Sequence, residues 1–200
     1  MPSFRDRLKP LVMEALIHEP TVLASGRVSA FYFDARMVTL RADGAFLLAR
    51  HILETVPAES YDAVGGMTMG ADPIAAAVSA LSFELDQPKP AFIVRKAAKD
   101  HGRKKRVEGP LARGARVVIV EDVTTSGGSA LDAIRAVEEE AGCSVARIVS
   151  LVDRMQGASE LFAEHGYLFT PVFTALELGI TREELDAEAR SAEEGGGPLS

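Results

Sequence analysis

A chain of 200 residues, 47% of them hydrophobic, holds enough apolar material for one globular domain and is too short for a second independent one. Its formal net charge of −7, with the acids spread along the chain, argues against a nucleic-acid-binding surface as its main business. The lone cysteine, Cys143, makes no intrachain disulfide and reads as a small buried hydrophobe in a reducing cytoplasm; Arg5, Arg7, Lys9 and Glu14 interrupt any export signal, and no stretch approaches a membrane span.

In chain order, residues 4–19 carry Leu8, Leu11, Val12, Ala15 and Leu16 at helical spacing, which predicts an amphipathic helix ending before Pro20. Residues 22–34 read as a turn around Gly26 and then a strand, with Phe31 and Phe33 on one face and Tyr32 on the other. A helix is predicted over 43–56, then a short buried strand over 63–66 that opens into the loop 67–72. Pro73 starts the next helix, where its missing N–H costs nothing. Residues 91–94 form another apolar strand, after which the chain stays polar to about Gly114, far too long for a tight connection.

The stretch 116–136, RVVIVEDVTTSGGSALDAIRA, organises the rest. The β-branched run 117–120 fits a strand buried on both faces, with Glu121 and Asp122 at its exit. Small residues follow from Thr124 to Ser129, and a helix comes next, for which Ser129 supplies a cap and Asp132 the partner of a capping box. Beyond it lie a strand over 146–152 ending in Asp153 and Arg154, and a short helix around Leu161 and Phe162 between Gly157 and Gly166. The apolar run 167–178 has a Pro171 that disfavours a central strand, and a last helix is capped by Thr181 with Glu184. The glycine-rich tail 193–200 reads as disordered.

Strand, small-residue loop and helix N-terminus together make an anion site, since free backbone N–H groups converge there and the helix dipole favours negative charge. Two carboxylates beside it would repel a phosphate, so they fit sugar hydroxyls, or a metal with its waters. The combination points to a sugar phosphate, and neither the P-loop nor the dinucleotide spacing is matched. The polar loop after residue 94 gathers Arg95, Lys96, Lys99, Arg103, Lys104, Lys105 and Arg106, a cationic lid able to close over a diphosphate, and His101 within it could protonate a leaving group. Strands alternating with helices over 63–152 predict an α/β fold with a mainly parallel sheet and helices on both faces. The unusual residues follow the strands, where such sheets bind ligands.

The 116–136 element resembles the 5-phosphoribosyl 1-diphosphate (PRPP) motif of the type I phosphoribosyltransferases. The signature R-K-x-x-K-D-H-G, matched from Arg95 to Gly102, and the following Glu108-Gly109 narrow the resemblance to the orotate phosphoribosyltransferase family. Ser25-Gly26-Arg27 with the aromatic run, and Asp153-Arg154, look like that family's orotate-side segments. The resemblance implies a single domain over 1–200 with a core of about 41–155 and a small hood from about 1–40 and 156–192. It implies that Glu121, Asp122, Val123, Thr124, Thr125, Ser126, Gly127, Gly128 and Ser129 bind PRPP together with Arg95, Lys96, Lys99 and His101, of which Lys99, His101 and Asp122 are catalytic. Tyr32, Phe33, Thr125 and Arg154 would bind orotate. It further implies Mg2+ held mainly through PRPP and water with no dedicated protein site, a cytoplasmic homodimer with the lid shared across subunits, and formation of orotidine 5'-monophosphate. Ala24 and Met69 stand where many members carry lysine, and Arg103 to Arg106 would compensate. A purine phosphoribosyltransferase, or a PRPP-sensing regulator without turnover, is the alternative.

Overall fold

The computed structural model describes residues 2–18, 21–22, 28–29, 31–97 and 105–194. Helix α1 (Phe4–Glu14) opens on a capping box between Ser3 and Asp6. It stops short of the expected residue 19 because Leu16–Ile17 (β1) pairs antiparallel with Tyr32–Phe33 (β4), while Thr21–Val22 (β2) pairs with Val28–Ser29 (β3). An apolar pair such as Leu16-Ile17 suits a helix face or a strand equally, and the long-range partner decides. Phe31 and Phe33 are both buried and meet edge to face, 6.0 Å between centroids, with Tyr32 half-buried, as the alternation requires.

Two helices, Arg36–Thr39 (α2) and Ala42–Thr55 (α3), lead to the sheet. Its strands are Ala63–Met67 (β5), Ala91–Val94 (β6), Val107–Glu108 (β7), Arg116–Thr124 (β8), Ser144–Asp153 (β9) and Phe169–Thr174 (β10). They lie in the order β10-β9-β8-β5-β6-β7, all parallel except β7. The intervening helices are Ala71–Glu84 (α4), Gly128–Ala141 (α5) and Ala158–Glu164 (α6), and Arg182–Glu194 (α7) follows. On β8, Val118 and Val120 face one core with α3 and α4, whereas Val117 and Ile119 face the other with α5 and α6. This period of two on a strand apolar on both faces is what a central parallel strand demands.

Three elements differ from the sequence reading. Strand β8 runs on through Thr124, because β9 continues beside it as far as the pair Thr124↔Asp153, so the two acids lie within the strand and not past its end. Helix α5 has no side-chain cap: Gly127, at φ 83°, is its N-cap, and Asp132 pairs with Arg106 and caps nothing. The run containing Pro171 is an edge strand of the main sheet, the place where a residue without N–H is tolerated. The segment 156–192, expected as part of a hood, is therefore divided, with β10 extending the sheet. Arg5 of α1 binds beside it, donating to the Val172 carbonyl and pairing with Glu177. Thr181 and Glu184 form the expected box on α7, and Cys143 is buried. Residues 195–200 of the tail lie outside the described residues.

Candidate active site

The chain builds β5, then β6 on one side of it, and then crosses to place β8 on the other. The crevice between the carboxyl ends of β5 and β8 is thus the switch point of the sheet, where neighbouring connections part and leave room for a ligand. From β5 the loop through Thr68 and Met69 reaches Gly70, with a cis Thr68–Met69 peptide. Gly70 packs so closely on Asp122 that a Cβ there would stand 2.5 Å from Oδ1. Met69, in place of an expected lysine, is exposed at the loop's tip.

From β8, Asp122 meets this loop at Gly70, and its Oδ1 accepts a hydrogen bond from its neighbour Val123 N at 2.7 Å, while Glu121 lines the small-residue loop that follows the strand. Burial, first, and the Asp122 charge, second, push the Glu121 carboxyl up to about 8, with Lys96 acting the other way. Asp122 is raised too, by burial, against its own backbone hydrogen bonds and Arg36. Among the described residues Glu121 Oε1 is buried without a hydrogen-bond partner. A buried acceptor left this way, with the half-buried Asp122 next to it in the strand, is suited to donors arriving with a ligand, such as vicinal hydroxyls.

Next to the acids, Val123, Thr124, Thr125, Ser126, Gly127, Gly128, Ser129 and Ala130 line a cavity of about 60 Å³. The positive φ of Gly127 turns the strand sharply into α5, and a Cβ at that residue would strike the Phe162 ring at 2.8 Å. Since no side chain caps α5, its first N–H groups are left for an anion.

The base of the lysine loop is firmly built. β7 pairs with β6, Arg95 N donates to Arg106 O at 3.0 Å, and Arg95 pairs with Glu108 at 3.6 Å. Arg106 forks onto Asp132 of α5 at 3.0 and 2.6 Å, and its backbone N–H binds Glu140. Arg106 is thus a fastener of the loop to α5 and not the compensating cation expected from sequence. Lys96 lies near Glu121 electrostatically. Lys99, His101, Arg103 and Lys104 lie outside the described residues, as do Ala24, Ser25, Gly26 and Arg27.

Arg154 follows β9, its backbone N–H bound to the Thr124 carbonyl at 2.9 Å, which sets it beside Thr125. Its guanidinium is buried 4.4 Å over the Phe31 ring and pairs with Glu188 of α7. Asp153 is structural: it accepts from Met155 N at 2.8 Å and holds the turn. Phe33 is buried in the neighbouring core, and Tyr32 raises the Arg36 pKa from nearby, after the larger effect of Asp34. Arg36 and Glu188 were missed in the sequence because nothing local distinguishes a surface arginine or one acid among many in a polar helix, and Phe31 was read only as part of the aromatic run. The proximity of Arg36 to Asp122 appears only in three dimensions.

Comparison with known proteins agrees with this geometry. Residues 40–166 match the phosphoribosyl transferase domain family. The chain is 44% identical to an orotate phosphoribosyltransferase of Nostoc sp. over 92% of its own length and 89% of that protein's. With the Streptomyces avermitilis orotate phosphoribosyltransferase the identity is 41%, over 86% and 95%. A Mycobacterium tuberculosis H37Rv orotate phosphoribosyltransferase crystallised with Fe(III) dicitrate superposes with a TM-score of 0.78 at 37% identity, over 88% of this chain and 99% of that one. The same enzyme in complex with PRPP gives 0.72 at 33%, over 88% and 92%. With an acid pair and an uncapped helix at the switch point of its sheet, and with relatives of this identity over most of its length, the chain belongs to the orotate phosphoribosyltransferase family of phosphoribosyl transferases.

Proposed function

We propose that this enzyme displaces diphosphate from PRPP with a ring nitrogen of orotate, giving orotidine 5'-monophosphate for pyrimidine synthesis. The observation that carries the reading is the uncapped start of α5 beside the buried Glu121 and the half-buried Asp122. The loop from Val123 to Ser129 takes the 5'-phosphate on its N–H groups, and the acids accept hydrogen bonds from the ribose hydroxyls. Asp122, opposite Gly70, stands where charge develops on the ribose ring as the glycosidic bond loosens. Arg95, Lys96, Lys99 and His101 surround the departing diphosphate, with His101 able to hand it a proton. Tyr32, Phe33, Thr125 and Arg154 hold orotate and align its nitrogen with the ribose carbon, so no covalent nucleophile is needed.

Among the described residues no three His, Cys, Asp or Glu side chains gather into a metal site. The oxygens of the acid pair nevertheless fit an ion held chiefly through its ligand and water, and Mg2+ bound in that way would screen the diphosphate charge. A homodimer in which the lid of one subunit closes over the other's site is part of the proposal. It is supported by the length of the loop beyond its anchored base at Arg95 and Arg106. A cytoplasmic setting suits a single buried thiol, and among the described residues no helix is long and apolar enough to cross a membrane. The test is release of diphosphate from PRPP and Mg2+ with each candidate base. Release with orotate but not with adenine, guanine, hypoxanthine or uracil is expected. Release with a purine, or binding of PRPP with no turnover of any base, overturns the assignment.

A further inference from the structure

The guanidinium of Arg154 is held by the chain itself. Nη2 donates to Glu188 Oε2 at 2.5 Å and to Ser29 Oγ at 2.9 Å, with the Phe31 carbonyl at 3.4 Å. Its Cζ lies 4.4 Å over the Phe31 ring, a favourable place for a cation. Glu188 in turn receives Gln156 Nε2 at 2.7 Å on Oε2, and the Ser29 hydroxyl on Oε1. The side chains of Arg154 and Glu188 are only 4% and 7% exposed. The partners come from β3, the residues just after it, the turn after β9, and α7, which is otherwise largely exposed and reaches the core through Leu185. A carboxylate withdrawn from water is tolerated only where donors replace the water, and here Arg154, Gln156 and Ser29 converge on it among the described residues. The arrangement is therefore specified from several parts of the chain and is not a chance surface pair.

We propose that Glu188 is a positioning residue for the orotate half of the site. It fixes Arg154 by Nη2 against the Phe31 ring, so that the guanidinium meets a planar anionic base in one orientation, and it makes α7 part of the site's specificity. The inference rests on the assignment of Arg154 to the orotate pocket. A guanidinium already immobilised loses little freedom when the substrate arrives, whereas a loosened one must be ordered at the expense of binding. Because Glu188 acts through the Arg154 guanidinium, whereas the phosphate loop meets Arg154 at its backbone N–H on the Thr124 carbonyl, its effect falls on orotate and not on PRPP.

Steady-state kinetics of Glu188→Ala, Glu188→Gln, Gln156→Ala, Arg154→Ala and the double variant Glu188→Ala/Arg154→Ala test this, with thermal denaturation as the check on folding. Glu188→Ala is expected to raise KM for orotate about tenfold, with kcat and KM for PRPP within about twofold. Glu188→Gln keeps one acceptor oxygen but turns a donor toward Ser29 or Gln156, so its loss is smaller and equally confined to orotate. In the Arg154→Ala background Glu188→Ala adds nothing, which a merely structural role would not produce. An unchanged or lowered KM for orotate in folded Glu188→Ala, a parallel rise for both substrates, or additive losses in the double variant each overturns the inference. Should Glu188→Ala fail to fold, an orotate-selective rise in both Glu188→Gln and Gln156→Ala supports it, and its absence from either overturns it. If Arg154→Ala leaves KM for orotate unchanged, the pocket assignment itself falls. If Arg154→Ala raises it and Glu188→Ala does not, only the role of Glu188 falls.

Discussion

Glu121 carries a proton that the ligand should expel. Burial and the neighbouring Asp122 push its carboxyl up to about 8, so the ligand-free pair is partly protonated at neutral pH. Ribose hydroxyls donating to the pair favour its charged form, and PRPP binding is expected to release a proton. Calorimetric titration at pH 7.5 in buffers of different ionisation enthalpy should show an apparent enthalpy that follows the buffer, and Glu121→Gln should remove that dependence. A wild-type enthalpy indifferent to buffer counts against ribose contact by Glu121. The same shift bears on stability. The folded state binds this proton more tightly than the unfolded state does, so the contribution is fully present below 4.5 and is lost as pH rises through about 8. The melting temperature of the ligand-free protein should fall across that window, and less steeply in Glu121→Gln. At Gly70 even a methyl group would meet the Asp122 carboxylate, so Gly70→Ala is expected to cut kcat while leaving the circular dichroism spectrum unchanged. Wild-type turnover in Gly70→Ala would mean that the Asp122 position is not critical.

Among the elements, the start of α5 and the base of the lysine loop matter most. Gly127→Ala adds a left-handed residue with a Cβ in contact with the Phe162 ring, a strain costing about 1–3 kcal/mol. Chemical denaturation should show that loss, and KM for PRPP should rise because the N–H groups of the loop move with the turn. The pairing of Arg106 with Asp132 is different in kind. Asp132 is nearly half-exposed, so Asp132→Ala should cost no more than about 1 kcal/mol of stability. Its effect should appear as weaker PRPP binding, since the base of the lid loses its fastening to α5, and unchanged PRPP affinity would make the fork a surface ornament. The sequence misread both features for one reason. A Ser-x-x-Asp spacing before an apolar face looks like a capping box, and only the arrival of Arg106 from another part of the chain shows where Asp132 goes.

For the whole molecule the prediction concerns assembly. If the lid of each subunit serves its partner's site, Lys99→Ala and Arg154→Ala fall on the same site of a mixed dimer, which then has one doubly defective site and one intact one. Random reassortment makes half the dimers mixed, so when the two variants are mixed at an orotate concentration below the raised KM of Arg154→Ala, about a quarter of all sites should regain activity. Lids acting within their own subunit leave every site with one defect, and no recovery after verified subunit exchange would exclude sharing while leaving the chemistry untouched.

What the sequence determined by itself was whatever is encoded locally or repeats with a period. The alternation of apolar strands with helices fixed the parallel sheet, and the acid pair followed by small residues marked the turn from β8 into α5 that lines a cavity. The box on α7 was legible too, because both its partners lie within one turn. Tertiary structure alone decided which long-range partner won. Leu16-Ile17 became strand because Tyr32-Phe33 lies opposite, β8 reached Thr124 because β9 continues alongside, and α5 was left uncapped because it starts on Gly127, which has no side chain, while Asp132 went to Arg106. The place of Arg154 after its strand was legible, but its orientation was not. A buried charge takes its place from the nearest donors and acceptors that desolvation forces upon it, and for Arg154 those are Ser29, Phe31 and Glu188, more than thirty residues away along the chain at the least.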